Sequence, residues 1–249
     1  MDLTNRAALV TGGTKGIGAA TALELARRGA DVALVGRHDD AEAREVAAGI
    51  AQLGRRAKVI VADMGQAADC ARAVEDAVQR FGRLDVLVHS AGELVRGGLF
   101  EVTPEVWHAC FDVHVHAVFH LARAAAPHLR KQGAGAIVLV SSTAGVRAVQ
   151  SNLAYQVAKG ALPQFTRALA RELAGDNIRV NCVAPGVVRT RMHDTMPEEQ
   201  RRINLEQRIP LRREGQPIDI ATMIVELATN DFLTGQTVVV DGGLTMRIA

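Results

Sequence analysis

Thr11-Gly12-Gly13-Thr14-Lys15-Gly16-Ile17-Gly18 follows the apolar run Ala7 to Val10 and opens a helical pattern that closes at Gly29. Glycines at 12, 16 and 18 let the chain leave a strand, turn sharply and enter a helix with its backbone uncovered. The positive end of such a helix and its free amides attract phosphate, so the stretch predicts a nucleotide-binding strand-turn-helix unit. Its spacing is not G-x-G-x-x-G, and it does not end in Gly-Lys-Ser/Thr, which sets aside kinase and ATPase readings.

Outward from the loop, short apolar runs alternate with helical patterns: Val32 to Val35, Lys58 to Ala62, Val86 to Ser90, Ala136 to Ser141, Arg179 to Val183 and Thr237 to Val240. Several are apolar throughout, as strands covered on both faces must be. The helical stretches Gly18 to Arg28 and Ala67 to Phe81 each stop at a glycine suited to a left-handed cap, Gly29 and Gly82. Without a linker, repeat or low-complexity tract, residues 1–249 read as one α/β domain. Its expected core is a Rossmann-like, doubly wound sheet of seven mostly parallel strands with helices on both faces.

Composition narrows the function. The 249 residues are 48% apolar and carry 29 basic and 27 acidic side chains, a net +2 that recommends neither nucleic acid nor a membrane surface. Cys70, Cys110 and Cys182 are odd in number and widely spaced, which excludes a disulfide framework and a cysteine-rich zinc site. Leu9-Val10 runs straight into the glycine loop with no signal region, and nowhere do eighteen or so apolar residues run together, so a reducing cytoplasm is the expected compartment. His116 and His120 lie one helical turn apart, but a zinc site needs further ligands and no metal is expected.

Tyr155 is the only tyrosine, and Lys159 lies one helical turn later, on the same face. A phenol titrates near ~10, and a neighbouring ammonium favours phenolate. Tyr155 is therefore the candidate general acid/base, tuned by Lys159, and Ser142, at the end of an apolar strand, the group that polarises a substrate oxygen. Taken alone, Tyr155 and Lys159 also fit an amphipathic helix, and the serines a strand end; the glycine loop favours chemistry.

In this order the motifs resemble the short-chain dehydrogenase/reductase family along essentially the whole chain: Thr-Gly-x-x-x-Gly-x-Gly at Thr11 to Gly18, His89-Ser90-Ala91-Gly92 in place of Asn-Asn-Ala-Gly, and Ser142, Tyr155 and Lys159 at catalytic spacing. Pro185-Gly186 with Thr190, and Thr234-Gly235 with Asp241-Gly242-Gly243, complete the pattern. The resemblance implies a nicotinamide cofactor held by Gly12, Thr14, Lys15, Gly16, Ile17, Gly18, Arg37, Asp63, Met64, Ser90, Ala91, Gly92, Tyr155, Lys159, Pro185, Gly186, Val188 and Thr190. Asp63 would hold the adenine, and Lys159 the nicotinamide ribose hydroxyls. It also implies hydride transfer between that cofactor and a small carbonyl or secondary alcohol, and a homotetramer or homodimer built on helices around 103–131 and 152–174 and on the C-terminal strand. A family member without redox chemistry and a nucleotide-binding regulatory protein are the alternatives. The intact loop and Lys159 argue against the first.

Cofactor choice turns on the end of the second strand. NAD enzymes place Asp or Glu there for the ribose 2′-hydroxyl, whereas Val32 to Val35 runs into Gly36-Arg37. Arg37 and Lys15 would clamp a 2′-phosphate, with Gly36 leaving room, so NADP(H) is favoured over NAD(H). Asp39 and Asp40 dissent, although capping the next helix accounts for them.

Three departures from the family pattern stand out. His114 occupies the position of the usual catalytic Asn; a modified proton relay through imidazole competes with a packed histidine on a stripe with Phe111, Val118 and Leu121. Pro163 falls where the helix of Tyr155 and Lys159 should continue, which predicts a kink. Gln132-Gly133-Ala134 and Gly175-Asp176-Asn177 stand where 3-oxoacyl-carrier-protein reductases tend to carry basic residues, which weakens that label. Substrate choice is expected in a lid around 187–216, where Arg189, Arg191, Arg201, Arg202, Arg208, Arg212 and Arg213 face Asp194, Glu198, Glu199, Glu206 and Glu214. By analogy with the family, Leu94, Val95, Leu99, Val146, Val149 and Met192 would line an apolar pocket. Paired charges on a solvated helical face are the default for the lid, and an anionic substrate is the alternative.

Overall fold

The computed structural model describes residues 1–193 and 196–246. Its strands are β1 (Ala7–Thr11), β2 (Asp31–Gly36), β3 (Ala57–Val61), β4 (Val86–His89), β5 (Gly135–Val140), β6 (Ile178–Pro185) and β7 (Thr237–Val240). They form one parallel sheet in the order β3-β2-β1-β4-β5-β6-β7. The winding reverses between β1 and β4, and such a switch point opens a crevice beyond the carboxyl ends of the strands.

Alternation along the strands feeds two cores. Ala8, Val10, Val32, Leu34, Val86 and Val88 pack under α1 (Gly16–Arg27), α2 (Ala41–Gln52) and α8 (Pro217–Thr229). Leu9, Ala33, Leu87, Ile137 and Leu139 face the opposite way, under α3 (Ala67–Phe81), α5 (Ala117–Lys131) and α6 (Leu153–Leu173). Because successive strand residues point to opposite faces, two-sided cover makes both sets apolar. Truncating one of these buried leucines to alanine costs about 2–5 kcal/mol.

The amino ends of the strands are pinned by carboxylates. Fully buried Asp85 accepts from the Ala7 amide at 2.9 Å and pairs with Arg6 at 2.9 Å and Arg83 at 2.7 Å. Asp31, the first residue of β2, accepts from the Arg56 amide at 2.8 Å and pairs with Arg55 at 3.1 Å and Arg56 at 2.7 Å. Burial alone would raise the Asp31 carboxyl, but these partners hold it below the usual carboxylate value.

One expectation needs correction. The helix expected around 103–131 is interrupted: α4 (Pro104–Phe111) passes into a π-helical turn at Asp112–His116 before α5 begins. The extra residue in that turn rotates His114 inward, and π-turns of this kind gather at functional sites. In the expected lid, a 3₁₀ turn at Arg191–His193 precedes α7 (Glu198–Ile203) and a second π-turn at Asn204–Arg208, while Asp194 lies outside the described residues. Several arginines of this segment are paired: Arg202 with Glu199 at 2.9 Å, Arg213 with Asp219 at 2.7 Å, and Arg189 and Arg201 with buried Glu214, each at 3.3 Å, so part of the pairing is with a buried carboxylate and not on a solvated helical face.

Candidate active site

The glycine loop is tight because other backbone crosses it. A Cβ on Gly12 (φ +64°) would lie 2.9 Å from the Ala91 backbone, and one on Gly18 would lie 2.1 Å from the Gly12 carbonyl oxygen. Thr190 stands over Gly16, its methyl 3.3 Å from where a Cβ would sit. The residue at the amino cap of α1 is Lys15, whose side chain makes no cap hydrogen bond, so that among the described residues the cap supplies the first-turn amides with no side-chain acceptor. A constricted glycine turn with uncapped amides fits a pyrophosphate, which answers whether the chain can seat the cofactor its loop implies.

The expected 2′-phosphate clamp has a different arrangement. Lys15 Nζ reaches Asp40 at 2.7 Å and Glu42 at 2.9 Å, and those hydrogen bonds raise its pKa. Asp40 also caps α2 through the Ala43 amide at 3.0 Å, as the capping reading held, and Arg191 from the lid segment joins Glu42 at 2.8 Å. Arg37 lies 3.6 Å from Glu93 instead of beside a shared anion. Gly36 is small for a packing reason: a Cβ there would come 2.8 Å from the Thr14 methyl.

At the end of β3, Asp63 is exposed and accepts from the Gly65 amide at 2.9 Å, while the neighbouring Met64 is buried. At the end of β4, the Ala91 amide donates to the Thr11 hydroxyl at 3.2 Å, Thr11 donates to His89 Nδ1 at 2.8 Å, and His89 Nε2 donates to the Val113 carbonyl at 3.0 Å. Burial pushes His89 down to about 3, so it stays neutral and ties β1 and β4 to the π-turn. The signal in the sequence for this link is the place of His89 in the Asn-Asn-Ala-Gly pattern.

Ser142, Tyr155 and Lys159 come together where β5 ends and α6 begins. Tyr155 and Lys159 are buried, and Lys159 Nζ sits 5.7 Å from the centre of the Tyr155 ring while donating to the Val140 carbonyl at 2.8 Å. Burial pushes the phenol up to about 12, against a hydrogen bond with Ser142, and pushes Lys159 down to about 8. The expected depression of the phenol is therefore absent in the free chain, because loss of water outweighs the neighbouring groups.

His114 is fully buried on the π-turn, its ring edge-on to Tyr155 with centroids 5.4 Å apart. Nε2 donates to the Glu93 carbonyl at 3.0 Å, and Nδ1 is a buried acceptor with no partner among the described residues. Burial, then the Lys159 charge, push its pKa down to about 2, so proton exchange by the imidazole near neutrality does not fit. Gly92 (φ +151°) makes the room: a Cβ there would lie 2.1 Å from His114 Cε1. His114 is thus packed, as one of its two expected readings had it, and it also flanks the tyrosine. Pro185, Gly186 and Val188 carry the chain off β6, where the Gly186 amide donates to Val240 at 3.0 Å and a Cβ would meet Asp241 at 2.7 Å.

Comparison with known proteins follows the same outline. The family profile described as enoyl-(acyl carrier protein) reductase matches residues 12–245. Dehydrogenase/reductase SDR family member 4 of Oryctolagus cuniculus is 38% identical over 99% of this chain and 96% of its own. The 3-oxoacyl-(acyl-carrier-protein) reductase FabG of Thermotoga maritima is 36% identical over 99% of this chain and 100% of its own. A short-chain dehydrogenase from Burkholderia cenocepacia, solved in complex with NADP, superposes with a TM-score of 0.90 at 36% identity, covering 98% of this chain and 99% of that one. Sheet order, loop and relatives agree over nearly every residue, and the chain belongs to the short-chain dehydrogenase/reductase family of oxidoreductases.

Proposed function

We propose that the chain is an NADP(H)-preferring oxidoreductase that interconverts a small carbonyl compound and its secondary alcohol, with Tyr155 as general acid/base. The observation that carries this reading is the meeting of buried Tyr155 and Lys159 with half-buried Ser142 at the carboxyl edge of the sheet, the edge that also bears the glycine loop. When bound, a nicotinamide cofactor supplies or takes up the hydride. The loop Gly12 to Gly18 would hold its pyrophosphate, Ser90 to Gly92 and Asp63-Met64 its adenosine side, and Lys159 with Pro185, Gly186, Val188 and Thr190 its nicotinamide side.

Ser142 orients and polarises the substrate oxygen. Tyr155 gives that oxygen a proton in reduction and takes one back in oxidation; its high pKa in the free chain makes it a donor at neutral pH. Lys159, partly charged near its lowered pKa, stabilises the phenolate left behind. His114 stays neutral and offers Nδ1 only as an acceptor, in place of a titrating relay. Residues 187–216 act as the substrate lid, and the working form is a homodimer or homotetramer.

The carboxylates on Lys15 favour a second reading, an NAD-dependent alcohol dehydrogenase, because Asp40 and Glu42 would repel a 2′-phosphate. Titration with NADPH and NADH, followed by Trp107 quenching in wild type and Arg37→Asp, separates the two. Tight NADPH binding that weakens in the variant supports the first reading, and NADH preference supports the second. Tyr155→Phe should bind cofactor normally and lose turnover by roughly a hundredfold or more; retained turnover with carbonyl substrates would remove Tyr155 from the mechanism.

A further inference from the structure

Pro163 lies within α6, four residues after Lys159, where an amide would ordinarily donate to the Lys159 carbonyl. Proline has no N–H to give, and its ring crowds that carbonyl. α6 nevertheless continues to Leu173. A buried carbonyl deprived of its donor is costly, so another donor is needed at this point.

It comes from the sheet. The buried Ser141 hydroxyl donates to the Lys159 carbonyl at 2.7 Å, and the Ser141 amide is fixed on the Val183 carbonyl at 2.8 Å. Gly145 closes the other side of the same peptide, where a Cβ would come 2.6 Å from the Lys159 carbonyl carbon. The lysine is thus held at both ends by consecutive residues: its ammonium by Val140 and its backbone by Ser141. Ser142, the next residue, carries the hydroxyl that meets Tyr155.

We propose that Ser141 is a positioning residue of the active site: it replaces the helix hydrogen bond that Pro163 removes and so locks the backbone of Lys159 to the strand end that presents Ser142. The proposal rests on the assignment of Tyr155 and Lys159 to the reaction. Ser141 touches no reacting atom and acts through its two neighbours in space. It also gives the proline a role, because with Pro163 in place the lysine backbone is bonded to β5 instead of to the next turn of its own helix.

The test compares wild type, Ser141→Ala, Pro163→Ala and the double variant, using thermal unfolding and ultraviolet titration of the phenol. Tyr155 is the only tyrosine, so the second readout reports the active site without cofactor or substrate. Ser141→Ala should lower the unfolding temperature by roughly 2–8 °C and move the phenol titration to lower pH as water reaches the loosened site. In the Pro163→Ala background the restored helix amide covers the carbonyl, so the same substitution should cost less than half as much and leave the phenol where Pro163→Ala alone puts it. If Ser141→Ala does not fold by itself, recovery of folded protein in the double variant is the equivalent result. Equal losses in both backgrounds, no recovery, or an unmoved phenol overturns the proposal. Turnover retained in Tyr155→Phe would instead overturn the reading on which it rests.

Discussion

A phenol shut away from water keeps its proton, and Tyr155 carries that condition to the point where an ordinary base near neutrality cannot ionise it. Ultraviolet titration of the free chain should show its absorbance change near pH 12, and a phenolate forming around neutrality would refute the burial argument. Lys159 titrates the other way: its charge is held below about pH 8 and lost as pH rises through that value. Carbonyl reduction, in which the ammonium stabilises the departing proton's phenolate, should therefore decline above about pH 8 in a kcat profile. His114→Asn should leave that limb in place, since an imidazole pushed down to about 2 contributes no ionisation there. Gly92→Ala should displace the imidazole and cost about 1–3 kcal/mol in denaturant unfolding, because the new methyl falls on Cε1. The residue types of this site were legible in the sequence, since Tyr155, Lys159 and Ser142 could be named from spacing. Their ionisation was not, because spacing carries charge neighbours but no measure of excluded water.

Elements decide how the loop residues are used. Lys15 was legible as a cation inside the glycine loop, and Asp40 as a helix cap, yet their meeting depends on α2 starting where it does. That contact makes one carboxylate serve two purposes, cap and counter-charge. Asparagine caps about as well as aspartate, so Asp40→Asn should leave the unfolding temperature nearly unchanged. Removing the charge should tighten NADPH relative to NADH by roughly twofold to fivefold, the worth of an exposed pair. An unchanged ratio of dissociation constants would place the 2′-phosphate away from Lys15. The π-turn at Asp112–His116 was illegible for a related reason. Helical periodicity through Phe111, Val118 and Leu121 reads as continuous, and a single inserted residue is too small a phase shift to appear in so short a stripe. Pro163 shows the converse, a break written in the sequence that a serine from another element repairs.

Over the whole molecule, the sheet was legible strand by strand because two-sided burial leaves apolar runs of strand length between glycine-closed helices. The partners of the buried carboxylates were not, since Asp31 and Asp85 meet arginines that only the assembled sheet brings to them. The Asp31 carboxyl is held below its unfolded value, so its stabilisation is full above the ordinary carboxylate pKa and is lost as pH falls through the lowered one. Asp31→Asn should lower the unfolding temperature at neutral pH and flatten its decline in acid; an unaltered acid limb would mean that other groups govern it. These anchors lie at the amino ends of the strands, while the glycine loop, Tyr155 and the segment that follows β6 lie at the carboxyl ends. The arginine–carboxylate anchors are therefore separated, by the length of the strands, from the loops that vary in what they meet. Loops at the carboxyl edge can be exchanged or lengthened while the arginine–carboxylate anchors stay in place, so a lineage built on this scaffold can change what it acts upon without having to solve its folding again.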